Sequence, residues 1–129
     1  MLQISKQVDY GLQLLGSLAK LEKDQFLSLR QFSKESDISF LFLQRIARSL
    51  KSAGIIESMR GMKGGYVLKR NPKSISLKEI VEALEGHSCI TRCLHSKTTC
   101  PRLKTCTAHK IFMGVNEHVQ RVLAETYIV

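Results

Sequence analysis

Four cysteines lie in one short stretch, at Cys89, Cys93, Cys100 and Cys106 in the spacing C-x3-C-x6-C-x5-C, and His109 follows in C-x2-H spacing. Thiolates with a nearby imidazole can ligate zinc or an iron–sulfur cluster, and thiols alone can sense oxidants by forming disulfides. Buried core thiols would be scattered among the helices, whereas these fill one segment. The opening residues MLQISKQVDY lack the basic start, apolar run and small-residue cleavage site of a secretory signal. The chain therefore reads as cytoplasmic, where stable disulfides are rare and clustered cysteines bind metal or act as redox centres. Zinc sites commonly use paired C-x2-C to C-x4-C knuckles, which are missing here. Wider spacing in a segment free of acidic residues, Gly86 to Lys110, suits the anionic thiolates of an iron–sulfur cluster, with Arg92, Lys97, Arg102, Lys104 and Lys110 supplying positive charge. The spacing permits all three chemistries. His87, His95 and His118 read as surface or packing residues, and His109 stays ambiguous.

Charge adds a second signal. The 129 residues carry 20 Lys and Arg against 11 Asp and Glu, a net +9, which favours a polyanionic partner. From Ser39 to Lys73 there are Arg45, Arg48, Lys51, Arg60, Lys63, Lys69, Arg70 and Lys73 against the single acid Glu57. A composition of 43% hydrophobic and 24% charged residues is that of a globular domain. Apolar runs are broken well short of the roughly 18 residues that span a bilayer, so no membrane partner is expected.

The elements that would position these groups follow from periodicity. Apolar residues from Tyr10 to Leu21 recur at helical steps, with Ser5 as a plausible cap. Ser28 can cap a short helix that turns Leu29 and Phe32 inward and ends at Asp37. Ser39 then caps a run in which Phe42, Leu43, Ile46, Leu50 and Ala53 form an inward stripe, while Gln44, Arg45, Arg48 and Lys51 lie on the other faces. Gly54 stops it. Two short helices joined by a tight turn, the second basic outside, form a helix-turn-helix whose second helix enters a major groove. Strands at Ile55 to Met59 and Gly65 to Lys69 flank a Gly-rich turn bearing Arg60 and Lys63, which reads as a wing. Ser76 to Leu84 returns to helical spacing and Gly86 closes it. No period runs from there to Cys106. A last helix carries Ala108, Ile111, Phe112, Val115, Val119, Val122 and Leu123 along a stripe broad enough to need a partner surface.

The segments ISKQVDYGLQLL, ISFLFLQRIARSLKSAGII, RGMKGGY and the cysteine loop together resemble the IscR and NsrR type of winged-helix transcription regulators over nearly the whole chain. The opening is also similar to relatives proposed to regulate the SUF cluster-assembly operon. The resemblance implies a mainly α fold with a small β-hairpin, built as a winged helix-turn-helix (1–85), a cluster-binding loop (86–106) and a dimerisation helix (107–129). It implies that Cys93, Cys100 and Cys106 are cluster thiolates and Cys89 an extra cysteine. The fourth ligand is contested between His109 and Asp9, which falls where the NsrR branch uses an aspartate. The cluster is expected as 2Fe-2S ahead of 4Fe-4S, and to be lost from aerobic preparations.

In the dimer so implied, joined through Ile111, Val115, Val119 and Val122, two recognition helices would enter major grooves about 34 Å apart on a near-palindromic double-stranded site. Arg45 and Gln44 suit bidentate pairing with guanine and adenine, and Arg60 suits a narrow minor groove. Arg48, Lys51, Lys63 and Lys69 suit phosphates, and Ser39 opens the recognition helix. The expected function is a DNA-binding regulator, a repressor, whose affinity is controlled by a cluster sensing iron–sulfur status, nitric oxide or redox stress. The alternatives are a cluster-free thiol-sensing winged-helix regulator and a zinc-stabilised interaction module. No Ser-His-Asp, paired-carboxylate or phosphate-loop pattern is present, so neither an enzyme nor a small-molecule substrate is expected.

Overall fold

In a computed structural model of the chain, residues 3–59, 64–86, 89–94 and 100–129 are described. Serine side chains cap the starts of three helices. The Ser5 hydroxyl accepts from the Val8 amide to begin α1 (Lys6–Ala19), and Ser28 accepts from Gln31 to begin α2 (Leu29–Ser36). α2 stops at Asp37, whose φ of 62° is left-handed. The turn that follows is tied on both sides, since the Ser33 hydroxyl donates to the Ile38 carbonyl and the Ile38 amide donates to Ser36 Oγ. α3 (Phe40–Ser52) then buries Leu43, Ile46, Ala47 and Leu50. This departs from the expected stripe at one end: Ala53 is the C-cap and exposed, rotated off the buried row, and Ala47 fills the inward position.

The end of α3 is a Schellman motif. Gly54 takes a φ of 75°, its amide donates to the Lys51 carbonyl, and the Ile55 amide reaches back to the Leu50 carbonyl. That geometry turns the chain directly into β1 (Ile56–Met59), which pairs antiparallel with β2 (Gly65–Leu68) in the register Ile56 opposite Leu68 and Met59 opposite Gly65. Leu27 adds a bridge to Tyr66 through two backbone hydrogen bonds of 3.0 and 2.8 Å, so the hairpin is pinned to the segment that leads into α2.

The close approach there is possible only because residue 65 is glycine. A Cβ on Gly65 would lie 2.5 Å from the Leu27 carbonyl oxygen and 2.8 Å from the Phe26 ring. Gly65→Ala is therefore expected to destabilise the fold by about 1–3 kcal/mol, read as a lowered midpoint of urea unfolding. Gly16→Ala is the control: nothing lies within 4 Å of its Cβ position, and removing a helix-interior glycine should stabilise by up to about 1 kcal/mol. Equal midpoints for the two variants would contradict the pinned-wing geometry.

Ser76 and Glu79 form a reciprocal capping box at the start of α4 (Leu77–Glu85). The Glu79 carboxylate also receives Arg70 Nη1 at 2.6 Å and Nη2 at 3.4 Å. That guanidinium holds the carboxyl below its ordinary range against a smaller opposing effect of burial. Arg70 Nη2 further donates to the Ser74 carbonyl, so this basic residue serves the fold. α1, α3 and α4 pack around a single core that includes Leu14, Leu15, Leu43, Leu50, Ile55, Ile75 and Ile80. Each fully buried Leu or Ile contributes about 1.5–3 kcal/mol.

α5 (Thr107–Glu125) packs against α4 along one side and leaves no residue fully buried. The chain does not end as helix. Residues Thr126 to Ile128 return to the domain, where Tyr127 bridges Ser76, the Leu77 amide donates to Thr126 at 2.7 Å and the Ile128 amide to Ile75 at 3.1 Å. Ile128 packs on the core. Among the described residues no helix is long and apolar enough to cross a membrane.

Candidate nucleic-acid interface and metal centre

The exposed face of α3 gathers the residues expected to meet DNA. At about 100° per residue, Leu41, Gln44, Arg45, Arg48 and Lys51 fall within an arc of roughly 120°, and all five are exposed while Leu43, Ile46, Ala47 and Leu50 anchor the opposite side. Ser39 sits at the N-cap with no side-chain capping bond, which leaves its hydroxyl available. Lys51 Nζ donates to Ser58 Oγ at 3.0 Å, tying the end of the helix to the wing. Lys69 is exposed just after β2. Arg60 and Lys63, expected at the wing tip, lie outside the described residues.

Two residues on this surface carry no motif and were missed by sequence reasoning. The Arg30 guanidinium stacks 4.5 Å from the centre of the Phe40 ring, joining α2 to the first turn of α3 beside a groove lined by Ser28, Gln44, Ser58 and Tyr66. Leu41 has 72% of its surface exposed. Neither a stacked pair across two helices nor an apolar residue on a polar face has a sequence signature.

The cysteine segment is fastened to α5. The Ile90 amide donates to Asn116 Oδ1 at 3.3 Å, a short helical turn at Arg92–Leu94 packs on α5, and Cys106 is the N-cap residue of that helix. Cys93 Sγ lies 3.0 Å from Thr91 Oγ1, Cys100 is exposed, and Cys89, Cys93 and Cys106 are half-buried, all as free thiols. Among the described residues no three His, Cys, Asp or Glu side chains converge as a metal-holding group. His87 and His95 lie outside the described residues. His118 is exposed, as is Asp9, whose carboxylate on α1 accepts from Gln13 Nε2 at 3.1 Å.

His109 is different. In the first turn of α5, its Nδ1 is sealed from solvent and has no hydrogen-bond partner among the described residues. An unsatisfied buried polar atom costs about 1–3 kcal/mol and points to a missing partner such as an ion. An unsatisfied imidazole nitrogen three residues after Cys106, with further thiols on a loop fastened to the same helix, is of the donor types that an iron–sulfur cluster takes. The Thr91 hydroxyl can donate to a Cys93 thiolate, the kind of outer hydrogen bond that stabilises ligated sulfur.

α5 has two apolar sides. Val119 and Leu123 are half-buried toward the chain's own domain, whereas Ile111, Val115 and Val122 form an open stripe, with Ile111 59% and Val122 62% exposed. The broad stripe seen in the sequence is thus divided, and Val119 stands on the inner flank.

A family model described as "Rrf2: Iron-dependent Transcriptional regulator" matches residues 4–129. The chain is 34% identical over 85 residues to the HTH-type transcriptional regulator CymR of Bacillus subtilis (strain 168), covering 66% of this chain and 62% of that protein. It is 37% identical over 86 residues to IscR of Cereibacter sphaeroides, covering 65% and 56%. It is 31% identical over 100 residues to NsrR of Halalkalibacterium halodurans, covering 77% and 68%. The matched segments thus span less than two thirds of the CymR and IscR sequences. The solved structure of CymR, named the global cysteine regulator of B. subtilis, superposes with a TM-score of 0.78 at 28% identity, covering 99% of this chain and 94% of that one. The helix-turn-helix, the wing, the long final helix and the match along nearly the full sequence agree, and the chain belongs to the Rrf2 family of transcriptional regulators.

Proposed function

We propose that this protein is a homodimeric, sequence-specific DNA-binding repressor of the cytoplasm whose operator affinity is set by an iron–sulfur cluster. Residues 1–85 bind DNA, 86–106 hold the cluster and 107–129 form the dimer contact. The exposed arc of α3 carries the DNA reading. Gln44 and Arg45 are assigned to base edges, and Ser39, Arg48, Lys51 and Lys69 to phosphates, with Arg60 and Lys63 extending the contact at the wing. The cluster would be held by Cys93, Cys100 and Cys106 with His109 as fourth ligand, a choice over Asp9 supported by the orphaned Nδ1 of His109. When bound, it supplies a centre that oxidants, nitric oxide or iron shortage can damage or remove.

The chain's own residues connect that loop to the DNA face. Asn116 holds the loop at Ile90, Cys106 stands at the N-cap of α5, α5 packs on α4, and α4 packs on both α1 and α3. Ordering or freeing the loop therefore acts on an unbroken series of packed helices that ends at the recognition helix.

The division of contacts is testable on a selected operator. Arg45→Ala should weaken specific binding by about 1–3 kcal/mol and relax base preference at one position per half-site. Lys69→Ala should weaken specific and random DNA alike and reduce the salt slope by about one unit. Identical behaviour of the two variants would show that readers and phosphate contacts are misassigned.

A cluster-free thiol sensor is the second reading, favoured by the similarity to CymR, named a global cysteine regulator. Anaerobic purification separates the two. Visible charge-transfer absorption with stoichiometric iron and sulfide supports the cluster; a colourless, iron-free protein whose free-thiol count changes with oxidant supports the thiol sensor.

A further inference from the structure

We infer that Leu41 reads the C5-methyl group of a thymine in each operator half-site. The inference rests on the DNA-binding reading above and adds a specificity determinant to it. Leu41 is the one large apolar side chain that α3 leaves exposed, at 72%, since Phe40 and Phe42 are half-buried against Arg30 and Tyr10. It occupies the second position of the helix and lies on the same arc as Gln44, Arg45 and Arg48.

A recognition helix brings its N-terminal residues to base edges, and the only apolar feature a base pair offers in the major groove is the thymine methyl. Leu41 shares its exposed arc with the Gln44 amide and the Arg45 and Arg48 guanidiniums, which suits a groove of base edges better than an apolar protein interface, and among the described residues an open apolar stripe lies elsewhere, on α5. Its isobutyl group has no hydrogen-bonding capacity, so it can discriminate only by burying carbon. Arg45 stands one turn further along α3, an axial rise of about 6 Å. The methyl should therefore belong to a thymine within about two base pairs of the base that Arg45 reads.

The test uses the full chain, purified anaerobically, and the sequence it selects from random duplexes. Each thymine of that sequence is replaced in turn by deoxyuridine, which removes the methyl and leaves the pairing unchanged. For the wild-type chain one thymine per half-site should show a loss of about fourfold in affinity when demethylated. For Leu41→Ala, which changes an exposed residue and should leave the fold intact, that loss should vanish while the other thymines behave as before. Two results overturn the inference and leave the DNA reading standing: no thymine sensitive to demethylation, or a sensitive thymine whose penalty persists in Leu41→Ala. Failure to select any sequence would overturn the DNA-binding reading, and this inference with it.

Discussion

Cys100→Ala, purified without oxygen, is expected to contain neither iron nor sulfide and to show no visible absorption, while its thermal unfolding stays within about 0.5 kcal/mol of the parent stripped of its cluster. Cys100 is exposed and no buried packing depends on it, so loss of loading without loss of fold isolates ligation from structure. Cys93→Ala and Cys106→Ala should lose the cluster equally, because a missing thiolate opens the iron to water. Cys89→Ala should load fully. His109→Ala should give an altered spectrum, and Asp9→Ala an unaltered one, since the Asp9 carboxylate is exposed and bonded to Gln13. Full iron and sulfide content in Cys100→Ala would overturn the assignment of the cluster to Cys93, Cys100 and Cys106.

The other large effect concerns assembly. Val115→Asp puts a carboxylate on the open stripe of α5, where a second copy would bury it without a cation, at a cost of several kcal/mol. The dimer should dissociate, with an equilibrium constant at least 100-fold weaker in sedimentation, while the monomer keeps its melting behaviour because Val115 does not contact the domain core. Val119→Asp should do the reverse. That residue is half-buried on the inner flank, so the fold should be destabilised ahead of the dimer. A Val115→Asp protein that sediments as an unchanged dimer would place the interface on another surface. Loss of the dimer would also weaken operator binding, since each half-site would then be bound without its linked neighbour.

Much of the fold was legible because it is written in local chemistry. Ser5, Ser28 and Gly54 cap or terminate helices through bonds to residues a turn away, and such signals survive in a one-dimensional reading. What was not legible depends on distant partners. Arg70 stands in the basic run with the DNA candidates, yet it is committed to Glu79, a pairing that only the fold creates. Gly65 reads in the sequence only as the start of a strand beside a Gly-rich turn, but the close Leu27 carbonyl requires it to be glycine. The α5 periodicity showed a wide apolar face and could not divide it between the chain's own α4 and a second copy. The proposed DNA face stands out in the sequence as charge, whereas Leu41 and Arg30 needed exposure and stacking to stand out. The candidate ligands were legible as types and spacing, but not the unsatisfied nitrogen that separates His109 from the other histidines.

The return of Thr126–Ile128 to Ile75–Leu77 changes what the final helix is in topological terms. It makes the cysteine segment and α5 together an insertion, a closed excursion that leaves the folded unit at the end of α4 and re-enters it at the beginning of the same helix. Because both ends are clamped, disorder in the cysteine segment gains only the entropy of a tethered loop, which grows slowly with its length, rather than that of a free tail. The folding unit is correspondingly larger than the helix-turn-helix and wing: a fragment cut after α4 would lose the Ile128 packing and two backbone hydrogen bonds at the edge of its own core.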